Sequence, residues 1–198
     1  MQRRDFVLKT VIPLAIGGLV LAGCTTTATT TAPTGDRSTL SKRQHEINTS
    51  VDASLARLYT TVPGSRELVT KANGVLVFPS VIAAGLVVGA QYGEGALRVH
   101  SNAPEYYNLA SLSVGLQIGA QSKAIIFLFM TQDALDKFRK SEGWSVGADA
   151  SVAVLKVGAN GAIDINSASA PIVAFVVTNA GLMANLTLEG TKITRIKG

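Results

Sequence analysis

Few residues in this chain could do chemistry, and their spacing narrows what that chemistry is. The sequence holds one cysteine, Cys24, and two histidines, His45 and His100. With no second thiol, Cys24 can form neither an intramolecular disulfide nor a CxxC metal or redox pair. The histidines stand in separate segments without neighbouring ligand residues, and both read as surface positions. No metal site is expected. HExxH, GxSxG, SxxK, a Walker loop and GxGxxG are all missing, so no catalytic residue and no cofactor are expected either. Asp149, in "GADASVAV", is the one carboxylate set among small apolar residues. Burying it unpaired would be costly, so it should be hydrogen-bonded, ion-paired or exposed, in a structural rather than catalytic role.

What remains for Cys24 is acylation of its sulfur. The opening "MQRRDFVLK" carries Arg3, Arg4 and Lys9 against Asp5, and a mostly apolar run follows from Val11 to Ala22. A basic segment followed by a short apolar one is the layout of a secretory signal. The run is too short for a bilayer span, which takes about 20 residues. The junction "LAGC" (Leu21 to Cys24) has the pattern of a bacterial lipobox, with cleavage before Cys24. Diacylglycerol on the sulfur and a third chain on the new amine would anchor the protein, since each buried CH₂ contributes about 0.8 kcal/mol. Thr25 is not the Asp that retains such proteins in the inner membrane, so the expected address is the outer membrane, periplasmic face. "RRDF" also resembles a twin-arginine export signal.

Residues 1–23 read as the signal, 24–40 as a tether and 41–198 as the folded domain. Thr25 to Ser38 is rich in Thr, Ala and Pro, nearly uncharged, and unable to bury apolar area. The whole chain is +5. The signal has three cations and one anion, which leaves the mature part at +3. That charge is too mild, and too free of like-charge blocks, to indicate nucleic acid.

Within the domain, Ile47, Val51, Leu55 and Leu58 recur at helical spacing over Ser41 to Thr60, and "TVPG" stops the helix. Ser65 reads as the N-cap of a short helix through Ala72. From Asn73 the chain turns strand-like: "GVLVFPSV", "AGLVVGAQYGEGALRV", "SLSVGLQIGAQ" and "AIIFLFM". Ala124 to Met130 is apolar throughout and should be a central strand covered on both faces. Thr131 caps a helix over "QDALDKFRK", whose Ala134, Leu135 and Phe138 share a face. Asn160-Gly161 is the strongest hairpin signal, and Glu189-Gly190 is a further turn. Gly85, Gly89, Gly93 and Gly95 share strand parity, as do Gly115 and Gly119. Such rows mark close backbone approach or strong curvature. The expectation is an α+β domain with a strongly curved, mostly antiparallel, barrel-like sheet. Two or three helices pack on it, one of them against the glycine face. Trp144 is expected in the core; Tyr106 and Tyr107 fit either the core or a membrane interface.

The segments "ANGVLVFPSVIAAGLVVGAQYGEGAL", "SLSVGLQIGAQSKAIIFLFMTQDALDKF", "WSVGADASVAV" and "VAFVVTNAGLMANLTLEGTKI", in that order, resemble the SYLF-domain family, which includes the yeast Ysc-type actin-patch proteins. The resemblance covers roughly Ser41 to Lys197. It implies a lipid-binding domain, with phosphoinositides as ligands of eukaryotic members and actin as a partner of some yeast ones. Bacterial members are commonly lipoproteins, in keeping with Cys24. It also implies that basic residues near the N-terminal helices contribute to membrane contact, here Lys42, Arg43, Arg57, Arg66 and Lys71. The expected function is a non-catalytic, outer-membrane-anchored lipoprotein whose domain contacts membrane phospholipids. The alternative is an envelope scaffold presenting its curved sheet to a protein partner or to peptidoglycan.

Overall fold

Helix α1 runs from Arg37 to Thr61, starting before the Ser41 at which its apolar spacing begins. The computed structural model describes residues 37–85, 88–100, 102–114, 119–155, 163, 169–178, 181–182 and 188–197. The expectations for the signal, Cys24, most of the tether, Gly115 and the Asn160-Gly161 turn lie outside these residues. Residues 37–40, read as the end of the tether, are helical. A first turn with a single apolar residue, Leu40, is too short to show the period. Val51 and Leu58 are fully buried, with Ile47 and Leu55 packed beside them.

Gly64, at a left-handed φ of 81°, separates α1 from α2 (Ser65–Lys71). This corrects the expected cap: Ser65 is the first helical residue, buried, with its hydroxyl donating to the Leu58 carbonyl at 3.3 Å. Glycine takes the cap position because left-handed backbone costs it little.

Strands β1 (Gly74–Gly85), β2 (Val88–Arg98), β3 (Glu105–Val114) and β4 (Gly119–Phe129) precede helix α3 (Gln132–Lys140). Then come β5 (Trp144–Ser145), β6 (Ala153–Val154), β7 (Ile172–Thr178), β8 (Gly181–Leu182) and β9 (Lys192–Arg195). The sheet order is β5-β9-β3-β2-β1-β4-β7-β6, with β8 also on β7. Its pairs are antiparallel except β6 with β7. Pro79 lies in β1, between two neighbours, where a missing N–H would break the ladder. Both ladders of β1 shift register around it, at Val77/Ser80 toward β2 and at Phe78/Val81 toward β4. This bulge bends the strand and hides the absent donor.

Trp144 shows how far the sheet curls. It belongs to β5, five strands from β4, which in a flat sheet would be about 24 Å away. Its ring nevertheless lies 6.2 Å from Phe127 of β4, edge to face. The sheet is therefore a half barrel, and its inner face packs Leu76, Phe78, Phe127 and Phe129 against Trp144 and against Leu135 and Phe138 of α3. Thr131 starts α3 as expected, its hydroxyl oxygen accepting from the Ala134 N–H at 3.3 Å. The outer face packs Val75, Val77, Ala96, Ile126 and Leu128 against α1. With both faces covered, Ala124 to Phe129 is buried at every position. Each large side chain so buried contributes about 1.5–3 kcal/mol.

The α+β class, the curl and the three helices match expectation, but what fills the glycine face does not. Gly93 and Gly95 face inward, the side on which α3 packs, but what meets them is strand. A Cβ on Gly95 would sit 2.1 Å from the Val77 carbonyl oxygen, and one on Gly93 2.9 Å from that of Ser80. The bulged backbone of β1 occupies the space, not a helix.

Candidate functional site

The five basic residues expected at a membrane are spread along α1 and α2, and four of them have intramolecular partners. Arg43 forms an ion pair with Glu94 of β2, whose carboxylate also accepts from the Tyr92 hydroxyl at 2.8 Å. The Arg43 hydrogen bond holds the Glu94 carboxyl below its usual range, against the opposing effect of burial. Arg57 donates to the Thr178 carbonyl. Arg66 stacks its guanidinium 4.3 Å from the centre of the Tyr59 ring, and Lys71 bridges to Glu67 at 2.8 Å. Lys42 is exposed and has no ion pair with a described residue. Arg43 and Arg57 are 14 positions apart on one helix, or about 21 Å. These residues do not form a single cluster.

Two other features do gather. The first is on the outer sheet face, beyond the part that α1 covers. Register sets Ile82 beside Tyr92 and Tyr92 beside Ala110; in the next row of that face Ala84 lies beside Ala90 and Ala90 beside Leu112. Ile82 is 57% exposed, Tyr92 51% and Leu112 77%, and the three alanines are exposed as well. Strand alternation accounts for the band: the same strands turn their other residues into the half barrel. Large apolar side chains exposed side by side mark an interaction surface more often than isolated ones do.

The second is a groove of about 420 Å³ between the start of α1 and the C-terminal strand. Leu40, Ile47 and Tyr106 supply apolar wall, and Arg43, Arg195 and Lys197 supply cations. Glu105 also lines it, but Arg139 and Arg195 both bridge to that carboxylate and the Tyr107 hydroxyl donates to it at 2.9 Å. The groove is left net positive. Arg43 belongs to the groove and, through Glu94 and Tyr92, touches the edge of the apolar band.

Sequence reasoning missed both features. Arg195 and Lys197 lie some 150 residues from α1 and join it only because β9 pairs with β3. The band had a signal, since Ile82 and Ala84 alternate at the end of one strand-like run, as Ala90 and Tyr92 do at the start of the next.

The remaining candidates are structural. Asp149 is exposed, and its carboxylate accepts from the Ser145 N–H at 2.6 Å, closing a tight turn. Trp144 is in the core. The tyrosine pair splits by alternation. Tyr107 is buried, and burial together with Glu105 pushes its phenol well above the ordinary range. Tyr106 faces outward and accepts from the Asn48 amide at 2.8 Å. His45 and His100 are both exposed. Among the described residues, no three His, Cys, Asp or Glu side chains gather as a metal site would require.

Residues 110–197 match the family described as Ysc84, Las17-binding protein actin regulator. Over that stretch the chain is similar to the Ysc84 (SYLF) family. Its relatives include the SH3 domain-containing YSC84-like protein 1 of Xenopus laevis, 29% identical over 136 residues, 66% of this chain and 40% of that protein. The same protein of Mus musculus is 29% identical over 130 residues, 63% of this chain and 38% of its own length. That of Homo sapiens is 28% identical over the same shares. The chain thus spans about two fifths of these relatives. The family match reaches from β3 to β9 and so includes Leu112, Glu105's partner Arg139, and the groove cations Arg195 and Lys197. The basic residues of α1 and α2 precede it.

Proposed function

We propose that this protein is a non-catalytic lipoprotein, held by acylated Cys24 in the outer membrane and facing the periplasm, whose SYLF domain rests on phospholipid. The observation that carries the proposal is the exposed band of Ile82, Tyr92 and Leu112 next to a groove lined by Arg43, Arg195 and Lys197. An apolar band beside cations complements the acyl boundary and the anionic headgroups of a leaflet. The family's binding character supports the same reading. From Cys24 to Arg37 the chain is long enough to reach about 45 Å when extended, so an acylated Cys24 would keep the domain within touching distance of the bilayer. Among the described residues, no helix is long and apolar enough to cross a membrane.

The test is sedimentation of the Cys24→Ser chain, which lacks acyl chains, with vesicles containing phosphatidylglycerol. Binding should weaken with salt, as contacts outside a Debye length of about 10 Å at 0.1 M are screened. The additional pair Ile82→Ser and Leu112→Ser should weaken it by about tenfold or more, from the apolar contact removed. Undiminished sedimentation of that variant would remove the band from the account. No sedimentation of either chain would favour the scaffold reading, in which the band meets a protein.

A further inference from the structure

Lys123 is the one cation among the described residues that is buried, at 6% exposure. It lies on β4 two positions before Ile125 and four before Phe127, and so faces into the half barrel as they do. It forms no ion pair or hydrogen bond with any described residue. The nearest acidic groups on these strands are occupied elsewhere. Glu94 is on the outer face with Arg43, and Glu105 is held by Arg139, Arg195 and Tyr107. Glu105 also lies four residues along β3 from Leu109, the residue of that strand in the Lys123 row, which is about 13 Å further along. Burial alone pushes the Lys123 ammonium down from its ordinary range. An unpaired buried charge is costly, and an apolar residue would serve a purely structural position better.

The row beside Lys123, about 7 Å along the strand, is polar. Register aligns Gln121 with Ala83, Ala83 with Gln91, and Gln91 with Ser111. One row further along, Gly119, Gly85 and Gly89 are aligned. An ammonium, two amides and a hydroxyl therefore share the inner face over two adjoining rows, with no carboxylate in those rows among the described residues.

We propose that this end of the half barrel binds the phosphate of a phosphoester, with Lys123 as its buried counter-charge and Gln91, Gln121 and Ser111 as neutral donors. Several donors around one cation suit an oxyanion with three or four acceptor oxygens. The phosphate could come from a lipid headgroup or from a soluble phosphoester. The site lies on the opposite face of the sheet from the apolar band, so it does not depend on that band.

The experiment uses the full-length chain, its Lys123→Met variant and its Lys123→Arg variant. The probes are sn-glycerol 3-phosphate, by calorimetry and thermal melting, and vesicles containing phosphatidic acid. Glycerol phosphate should bind the parent chain and raise its melting midpoint, because a ligand of the native state stabilises it. Lys123→Met should weaken that binding by about tenfold or more, and Lys123→Arg should largely keep it. If Lys123→Met also weakens vesicle binding, the phosphate is a headgroup. If vesicle binding is unchanged while glycerol phosphate binding is lost, it is a soluble ester, and the membrane-contact reading stands unaffected. A parent chain that neither binds glycerol phosphate nor melts higher in its presence overturns the proposal, whether or not Lys123→Met folds. Equal affinity in the parent and Lys123→Met does the same.

Discussion

Glu105 shows how single residues in this domain are held by what surrounds them. Burial would raise its carboxyl, but Arg139, Tyr107 and Arg195 outweigh burial and hold it below the usual range. A carboxyl depressed in the native state contributes stability that is complete above the unfolded value of about 4.3 and is lost as pH falls through the lower native value. Glu105→Gln should therefore lower the melting midpoint at neutral pH and flatten its decline below about pH 4. A variant whose acid limb is as steep as the parent's would show that other carboxylates control it. At the same scale, the sequence identified Trp144 and Thr131 correctly, because each role is set by the residue and its immediate neighbours. It could not show that Arg43 and Arg66 are already partnered, since Glu94 of β2 and the ring of Tyr59 reach them only through folding.

Among the elements, the pairing of β1 with β2 decides the curl. A methyl on Gly95 would meet the Val77 carbonyl oxygen, which is backbone and cannot swing aside. Gly95→Ala should destabilise the domain by about 1–3 kcal/mol, a cost typical of overpacking, read as a lower denaturation midpoint at unchanged slope. A neutral substitution would mean that the strands are further apart than described. The glycine row was legible in the sequence as close approach, and the central strand was legible from its unbroken apolar run. The partner across the glycines was not, because Pro79 gives no sign in the sequence that it bulges β1 onto them. The two-residue strands β5, β6 and β8 were equally illegible: they are too short to show a period, and only their pairing defines them. Residues 37–40 were read as tether for a related reason, since one helix turn with a single apolar residue, Leu40, is too short to show a period.

At the scale of the molecule, the half barrel separates two surfaces that one sequence must encode together. Alternation sends the aromatic core inward with α3 and sends the band of Ile82, Tyr92 and Leu112 outward beyond α1. The groove cations come from opposite ends of the domain, so the surface proposed to meet the membrane exists only in the folded chain. The membrane account then requires a definite orientation, with the band against lipid and Trp144 remote from it. Trp144 is the chain's single tryptophan and is 3% exposed, so a second tryptophan can report the band on its own. The most direct measurement is the fluorescence of the Leu112→Trp chain on vesicles carrying brominated acyl chains. The account predicts that the new indole is quenched while the signal of the parent chain, from Trp144, is not. Equal quenching of both chains, or of neither while the protein sediments with the vesicles, would contradict it.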